Sequence, residues 1–386
     1  MPDAATAAWD AATAGLPAPL VVLDLDALEA NADDLVRRAA GRPVRVASKS
    51  LRCRAVLERV LARPGYAGVM AYAVAEAVWL ARAGLRDVFV AYPSVDVEAM
   101  RTVATDDRLR EEVTLTVDSV EHVRWLRDTL GESVRGLGVA VDVDASVRVG
   151  RAHLGVRRSP TRTPVEALAV VRAAQGVGLV VRGVMFYDAQ VAGLPDAGPH
   201  VRALKRRSVH ELLERRAAVV AAVRAEVDLA FVNGGGTGSL HTFGGDTVVT
   251  ELAAGSGLYA PTLFDGYDAF APRPAMAFAL PVVRRPAPGI VTTFGGGYVA
   301  SGEPGWSRVP SPVRRGWSLL RTEAAGEVQT PVRGPGVDGL RLGDRVWMRS
   351  AKAGELLERF DALHLVRGDR IEATVPTYRG EGRNFG

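Results

Sequence analysis

The sequence predicts an α/β protein, a (β/α)8 barrel of the TIM type followed by a C-terminal β domain. From about Leu20 to about Phe264, short apolar runs alternate with helical patterns, which is typical of parallel βα units. Beyond Pro272 the helical period is lost, and Pro and Gly punctuate short β-like runs such as AMAFALPVV and RIEATVP. We therefore expect an N-terminal segment over residues 1–19 that packs on the β domain, a barrel over residues 20–270 and a β domain over residues 271–386.

The predicted barrel strands are short apolar runs bounded by turn-forming residues, and the helices between them carry apolar residues at helical spacing. The strands are PLVVLD, VRVAS, AGVMAY, DVFVAY, VTLTVD, GLGVAVDV, LVVRGVMFY, DLAFVNGG and TVVTELA. The helices include DALEANADDLVRRAA, CRAVLERVLAR, AVAEAVWLARAG, SVEHVRWLRDTL, TPVEALAVVRAAQ and HELLERRAAVVAAVRAEV. Eight or nine such units in roughly 250 residues fit a closed barrel better than an open doubly wound sheet, and catalytic residues in a barrel lie where the strands end.

The composition is typical of a globular protein, with 48% hydrophobic and 24% charged residues. The net charge is only +4 and the arginines are spread along the chain, so a nucleic-acid partner is not predicted. No apolar run approaches the roughly 20 residues that a membrane span needs, and the N-terminus lacks the pattern of a secretory signal. Cys53 is the only cysteine, which excludes an intrachain disulfide and a site of several thiolates. We therefore expect a cytoplasmic enzyme or binding protein with no membrane partner.

Lysine is rare in this chain, and one lysine ends a predicted strand. Lysine occurs only at Lys49, Lys205 and Lys352, while arginine is abundant. Where arginine serves at solvated positions, a retained lysine indicates chemistry that needs an amine, such as Schiff-base formation. Lys205 lies in a highly charged helical pattern, where we expect a solvated side chain, and Lys352 follows a strand as a loop charge. Lys49 ends the apolar run VRVAS and is therefore the candidate for chemistry.

Two consecutive late strands each end in a turn of small residues. These turns lie in NGGGTGSLHTFGG (Asn233 to Gly245) and in ELAAGSGLYA (Glu251 to Ala260). Glycines let the backbone approach a ligand closely, and amide N–H groups with hydroxyls can surround a phosphate. The spacing fits neither a Walker A motif nor GxGxxG, so a nucleotide is not implied. The turns could be flexible loops, but late barrel strands commonly share a phosphate site, which is what we predict here.

Other polar residues give weaker signals. Arg148 follows a predicted strand, and its alternative is an ordinary surface arginine. Asp142 and Asp144 lie on one strand face, but no third ligand accompanies them, so a metal site is not predicted. The histidines show no HxH, HxxxH or HExxH spacing and the chain has no GxSxG, so neither a local zinc motif nor a serine hydrolase is predicted.

Several stretches, taken in order, resemble one family of enzymes. They are LDLDALEAN (Leu23 to Asn31), RVASKSLRC (Arg45 to Cys53), AEAVWLARAGLRDVFVAYP (Ala75 to Pro93), RVG (Arg148 to Gly150), GVMFYDAQ (Gly183 to Gln190) and the glycine turns. Over nearly its whole length the chain resembles the fold-type III pyridoxal-phosphate enzymes, the alanine racemase superfamily. Within it, the chain looks most similar to the D-threonine aldolase and D-serine dehydratase group.

The resemblance implies pyridoxal 5'-phosphate as cofactor and gives particular residues a role. Lys49 would bind the cofactor's aldehyde as a Schiff base, Arg148 would lie near its phenolic oxygen, and Tyr187 would lie near the Schiff base or the substrate. The residues implied to hold the phosphate are Gly236, Thr237, Gly238, Ser239, Gly255 and Ser256, with Tyr259 matching the family's tyrosine after the second turn. The resemblance also implies a homodimer whose active sites form between one subunit's barrel and the other's β domain.

Two positions depart from the family's pattern. Its aldolases and dehydratases usually carry a divalent metal on a C-terminal His-x-Cys or His-x-Asp, but Tyr378 and Gly380 stand at those places. We therefore expect no such metal, and Tyr378 is either a catalytic acid or base or a packed tyrosine. Ala253 stands where related members often place a charged contact to the pyridine nitrogen, and Glu251 on the same strand face is the candidate substitute.

The predicted function is cleavage or formation of the Cα–Cβ bond of a β-hydroxy amino acid, of D configuration, by a pyridoxal-phosphate enzyme. A dehydratase that eliminates the hydroxyl group and a racemase with Lys49 and a tyrosine as its two bases are alternatives. A non-catalytic carrier of the cofactor is a further alternative, although the β domain disfavours it. The last alternative is a barrel that binds a different phosphorylated ligand.

Overall fold

The computed structural model describes residues 4–150, 152–196 and 198–386. Its helices are α1 (Ala4–Ala12), α2 (Leu25–Ala39), α3 (Arg54–Leu61), α4 (Val74–Arg82), α5 (Val97–Thr105), α6 (Asp107–Glu112), α7 (Val120–Leu130), α8 (Pro164–Gly176), α9 (Ala189–Ala192), α10 (Pro199–Arg224) and α11 (Ser256–Tyr259). No helix in these ranges is long and apolar enough to cross a membrane.

The strands follow the same chain order. They are β1 (Leu20–Asp24), β2 (Val44–Ala47), β3 (Tyr66–Ala71), β4 (Val88–Val90), β5 (Val113–Val117), β6 (Gly138–Asp142), β7 (Val147–Val149), β8 (Ala152–Leu154), β9 (Val180–Phe186), β10 (Phe231–Gly234), β11 (Glu251–Ala254), β12 (Met276–Ala287), β13 (Ile290–Phe294), β14 (Ser311–Pro312), β15 (Ser318–Leu319), β16 (Gln329–Arg333), β17 (Arg345–Arg349), β18 (Ala362–Arg367) and β19 (Arg370–Pro376).

Eight strands form a closed parallel barrel in the order β10-β11-β2-β3-β4-β5-β6-β9. The helices that connect them begin at polar caps that the sequence supplies. Ser119 accepts a hydrogen bond from the first turn of α7, and Thr163 and Glu166 form a reciprocal capping box on α8. The strands β7 and β8 form a small antiparallel pair between β6 and α8. The predicted fold class, a (β/α)8 barrel with a C-terminal β domain, is confirmed.

A second sheet contains the C-terminal strands and also the first strand of the chain. Its order is β15-β16-β13-β12-β1-β18-β19, with β17 and β14 added beside β12. Thus β1, which we placed at the start of the barrel, pairs with β12 and β18 instead. Val21 and Leu23 lie in the main core, and Leu20 and Val22 lie in a second apolar cluster. Burial on both faces gives β1 the continuous apolar run that is typical of a barrel strand, so the sequence pattern could not separate the two positions.

The helix α1 lies against this second sheet. The rings of Trp9 and Trp347 have centroids 5.3 Å apart, and the Trp347 indole N–H donates to Asp10 Oδ1 at 2.9 Å. Arg345 of β17 also donates to the Leu16 carbonyl at 2.6 Å. These contacts tie the N-terminal segment to the C-terminal strands, although residues 1–3 of that segment lie outside the described residues.

Candidate active site

The C-terminal ends of the barrel strands surround a cavity of about 410 Å³. Residues from the turns after β2, β4, β5, β6, β9, β10 and β11 line it, as expected for the functional face of a barrel. A volume of this size suits a small ligand, since ligand sites in proteins commonly measure ~300–1,000 Å³.

Lys49 enters the cavity from a short 3-10 turn, Ser48–Ser50, directly after β2. Its Nζ donates a hydrogen bond to the Tyr92 hydroxyl, which comes from the turn after β4. The second domain packs directly on this lysine's backbone: a Cβ at Gly354 would lie 2.0 Å from the Lys49 carbonyl oxygen. Only glycine permits this approach, so the C-terminal domain helps to fix the turn that presents the amine.

The two glycine turns meet on another wall of the cavity. Gly236, Thr237, Gly255 and Ser256 line it. Thr237 Oγ1 accepts a hydrogen bond from the Gly257 N–H at 3.0 Å and lies 3.4 Å from Ser256 Oγ, which joins the two turns. A Cβ at Gly255 would lie 2.6 Å from the Ala47 carbonyl oxygen, so a larger residue would displace the turn. Two hydroxyl groups and closely packed backbone at the end of two late strands fit a phosphate group.

Three predicted phosphate-site residues, Gly238, Ser239 and Tyr259, lie behind this wall and do not line the cavity. The Ser239 hydroxyl donates to Asp188 Oδ1 at 3.2 Å, which fixes the first glycine turn to the end of β9. The Tyr259 hydroxyl is fully buried and donates to the Leu51 carbonyl at 3.0 Å, just after the Lys49 turn. These residues shape the site from outside it.

Tyr187, which we expect near the Schiff base or the substrate, follows β9 and lines the cavity. Burial raises the pKa of its phenol, while the charges of Lys49 and Arg158 oppose that rise. The Arg158 guanidinium lies 5.2 Å from the centroid of the Tyr187 ring and 5.8 Å from that of Tyr92. Arg158 lines the cavity but was missed in the sequence, because it belongs to no motif and stands among many other arginines.

Arg148, predicted to lie near the cofactor, does not line the cavity. Half of its side chain is exposed, and its guanidinium donates to Asp144 Oδ2 at 3.1 Å. Arg162 donates to the same carboxylate oxygen at 3.0 Å. Burial opposes ionisation of Asp144, but hydrogen bonds from Ser146 and Arg162 hold its pKa below the usual value. Arg148 therefore reaches the cavity only through Asp144, which does line it.

Asp142 and Asp118 add two further carboxyl groups to the cavity. Asp142 is only 8% exposed, and no group in the described part of the chain donates a hydrogen bond to its carboxylate. Burial, followed by the neighbouring charge of Asp118, raises the pKa of Asp142 to about 7, whereas Arg158 acts in the opposite direction. A carboxyl group with this pKa can both accept and donate a proton near neutral pH.

Tyr378 is fully buried and does not line the cavity. Its hydroxyl donates to Glu76 Oε1 at 2.9 Å, and its ring meets that of Trp79 edge-on at 4.9 Å. Burial raises the pKa of Glu76 to about 7. Tyr378 is thus a packed tyrosine at the join between the C-terminal segment and α4. Across the described ranges, no cluster of three or more His, Cys, Asp or Glu side chains is arranged to hold a metal ion.

Glu251, the candidate partner for a pyridine nitrogen, is occupied elsewhere. Its carboxylate oxygens accept hydrogen bonds from Arg45 Nε at 2.6 Å and from Arg45 Nη2 at 2.7 Å, and Asn233 Nδ2 also donates to it at 2.8 Å. Glu251 does not line the cavity, whereas Ala253 on the same strand does. The suggestion that Glu251 replaces the missing charge is therefore wrong, because Arg45 holds this carboxylate in the barrel interior.

The expectation for Lys205 was also wrong. Its side chain is 7% exposed, and its Nζ lies 4.6 Å from the centroid of the Tyr267 ring with no hydrogen-bond partner in the part of the chain that the structure describes. Burial lowers the pKa of this amine. The rarity of lysine was the signal that could have identified it.

Comparisons with known proteins agree with this architecture. The family model for the alanine racemase N-terminal domain matches residues 23–262. A 3-hydroxy-D-aspartate aldolase of Paracoccus denitrificans (strain Pd 1222) is 27% identical over 248 residues, which are 62% of this chain and 59% of that protein. The chain thus matches about three fifths of the relative's length.

Two solved structures share the fold over almost the whole chain. D-threonine aldolase from Filomicrobium marinum superposes with a TM-score of 0.78 at 22% identity, covering 95% of this chain and 96% of that one. D-threo-3-hydroxyaspartate dehydratase from Delftia sp. HT23 superposes with a TM-score of 0.76 at 20% identity, covering 94% and 98%.

Proposed function

Since this chain belongs to the alanine racemase N-terminal domain family, we propose that it is a pyridoxal-phosphate lyase that cleaves or forms the Cα–Cβ bond of a D-β-hydroxy amino acid. Enzymes of this fold-type III group use pyridoxal 5'-phosphate. One observation carries the proposal: the Lys49 amine and the two glycine turns open into the same cavity. The substrate class is supported by the relatives, which are named for D-threonine and for 3-hydroxyaspartate.

The residues of the cavity fit this cofactor. Lys49 would hold its aldehyde carbon, and Gly236, Thr237, Gly255 and Ser256 would hold its phosphate. When bound, this cofactor draws electrons from a bond broken next to the amino acid's nitrogen. The protein supplies position and proton transfer. The Tyr92 hydroxyl, already bonded to Lys49 Nζ, orients the amine, and Tyr187 lies close enough to Lys49 for that lysine's charge to influence its phenol.

Asp142 is the base that we assign to the β-hydroxyl proton. Bond cleavage requires a group that accepts this proton, and a carboxylate that faces the cavity without a partner is suited to it. The same carboxyl group, once protonated, could protonate a departing hydroxyl. This property favours β-elimination as the second candidate reaction, with ammonia and a keto acid as products in place of an aldehyde and an amino acid.

We further propose that the enzyme works without a divalent metal at its C-terminal segment. The Tyr378 hydroxyl is already engaged by Glu76, and Gly380 offers no side-chain donor. Metal analysis of the purified protein after dialysis against a chelator tests this directly. One tightly bound divalent ion per subunit, with activity lost on its removal, would overturn it.

The cofactor is tested by the absorption spectrum before and after borohydride, with peptide mapping of the reduced adduct. We expect a visible chromophore and a pyridoxyl group on Lys49. In Lys49→Ala the adduct should be absent, while Lys352→Ala, the same change at a loop lysine, should keep it. A product assay with D-β-hydroxy amino acids then separates aldehyde release, ammonia release and racemisation. A protein that takes up no cofactor would refute the proposal.

The quaternary state and the compartment are also proposals. We propose a homodimer, which the resemblance to the family supports, and sedimentation at working concentration tests it, since a clean monomer would contradict it. We propose a cytoplasmic location, which is supported by the presence of a single cysteine, Cys53, that is free and buried. Fractionation of the producing cells tests the location.

A further inference from the structure

The cations and carboxylates that line the cavity do not pair one to one. In the described part of the chain, the cations that line it are Lys49 and Arg158, and the carboxylates are Asp118, Asp142 and Asp144. Asp144 is already paired with two arginines outside the lining. Lys49 is assigned to the cofactor. Among the described residues, Arg158 is therefore the lining cation that remains for a bound anion.

Arg158 makes no ion pair or hydrogen bond with a carboxylate of the described residues, although its charge opposes the rise in the pKa of Asp142. Its contacts are the faces of the Tyr92 and Tyr187 rings, at 5.8 and 5.2 Å. Nearby arginines behave differently, since Arg148 and Arg162 both donate to Asp144. Arg158 is an exposed residue, so its guanidinium is open to a ligand, and its planar fork can bind a carboxylate through two hydrogen bonds.

Asp142 and Asp118 give the cavity an acidic wall beside this cation. The Asp142 carboxylate is more than nine-tenths buried, faces the cavity and accepts no hydrogen bond from any described group. It can accept a hydrogen bond from a hydroxyl group of a ligand. A second carboxylate in the ligand would instead meet like charge in a partly desolvated site, which is unfavourable.

We propose that Arg158 binds the α-carboxylate of the amino-acid substrate and that the Asp118–Asp142 wall selects a side chain that carries a hydroxyl but no carboxylate. This inference rests on the proposed function and narrows its substrate class. It separates the chain from its relatives named for 3-hydroxyaspartate, whose substrates have two carboxylates. The preferred substrates are then uncharged D-β-hydroxy amino acids such as D-threonine.

The first test measures binding without turnover. D-alanine and D-aspartate lack the β-hydroxyl group, and their binding to the cofactor-loaded protein is followed at about pH 8 by the change in visible absorption. We expect D-alanine to bind at least about tenfold more tightly than D-aspartate. Arg158→Met should weaken binding of both by about tenfold or more, and Arg158→Lys should restore part of the loss. Arg157→Met, a change at the exposed neighbour outside the lining, should bind both as the parent does.

Asp142→Asn tests the acidic wall with a side chain of nearly the same shape. The ratio of D-aspartate to D-alanine affinity should rise by about fivefold or more when this charge is removed. Equal binding by the parent and Arg158→Met, or a parent that prefers D-aspartate, would overturn the inference.

Measuring turnover of the two substrates distinguishes failure of this inference from failure of the proposed function. Higher kcat/KM for 3-hydroxy-D-aspartate than for D-threonine refutes the specificity and leaves the lyase standing. The expected binding preference without cleavage of either amino acid refutes the lyase and leaves the carboxylate site standing.

Discussion

The hydrogen bond between Tyr378 and Glu76 joins the C-terminal segment to the barrel, and its contribution to stability can be measured by removing it. Tyr378→Phe removes the hydroxyl that donates to Glu76 Oε1 at 2.9 Å, while the Tyr72 N–H still donates to Oε2 at 2.8 Å. Both side chains are fully buried, so water cannot replace the lost donor without rearrangement. The substitution should therefore leave one carboxylate oxygen unsatisfied.

The magnitude depends on whether Glu76 is charged. Burial raises its pKa from 4.5 to about 7, so the carboxyl group is mostly neutral at about pH 5.5 and mostly ionised at about pH 8. Losing a hydrogen bond to an ionised group costs about 1.5–3 kcal/mol, against about 1 kcal/mol for a neutral one. The loss of unfolding free energy in Tyr378→Phe should thus be larger at pH 8 by about 1 kcal/mol.

The parent protein should show the matching trend. Because the folded-state pKa of Glu76 lies above its unfolded value, this group's contribution is fully present below the unfolded pKa of 4.5 and is lost as pH rises through about 7. A shift of this size corresponds to roughly 3 kcal/mol across that window.

Urea denaturation followed by circular dichroism at the two pH values measures both effects. Tyr298→Phe is the control, because the Tyr298 side chain is half-buried and its hydroxyl makes no hydrogen bond within the described residues. Equal losses at both pH values in Tyr378→Phe, or no loss at either, would refute the assignment of this contact.

Two further substitutions test the supports of the site. Gly354→Ala places a Cβ 2.0 Å from the Lys49 carbonyl oxygen, so it should lower the free energy of unfolding by about 2 kcal/mol and reduce the amount of borohydride adduct. The control Gly339→Ala, where nothing lies within 4 Å of the added Cβ, should change neither quantity. Glu251→Gln leaves the buried Arg45 without one of its charged partners and should lower the free energy of unfolding by about 3 kcal/mol, while the cofactor's visible absorption is kept. Loss of that absorption would mean that Glu251 contacts the cofactor ring.

The barrel was predictable because a short stretch of sequence identifies each βα unit, as an apolar run followed by apolar residues at helical spacing. The exception, β1, shows the limit of that information. Its residues are buried on both faces in the second sheet, just as a barrel strand is buried on both faces. Pairing partners more than 250 residues away decide between the two positions, and no local pattern reports them.

The candidate site was predictable where chemistry restricts the residue type. Lys49 stood out because an amine cannot be replaced by a guanidinium, and the glycine turns stood out because two small-residue turns follow consecutive strands. Arg148 and Arg158 show what such reasoning leaves undecided. Both follow β6 and lie ten residues apart in the sequence, yet one is paired with Asp144 and the other lines the cavity without an ion pair to any described residue. Which arginine meets a carboxylate is decided by the fold of the intervening β7 and β8 pair.

The second domain supports the cavity through contacts with the backbone of the Lys49 turn. Gly354 presses on the carbonyl of Lys49, and the Tyr378 N–H donates to the Arg52 carbonyl at 2.9 Å, three residues beyond that lysine. Ser48, on the other side of Lys49, donates its hydroxyl proton to the Met70 carbonyl of β3 at 3.0 Å. The turn that presents the amine is thus held on one side by the barrel and on the other by contacts to the C-terminal domain. The Tyr378 side chain helps to keep the C-terminal segment in place, because its hydroxyl donates to Glu76 Oε1 of α4.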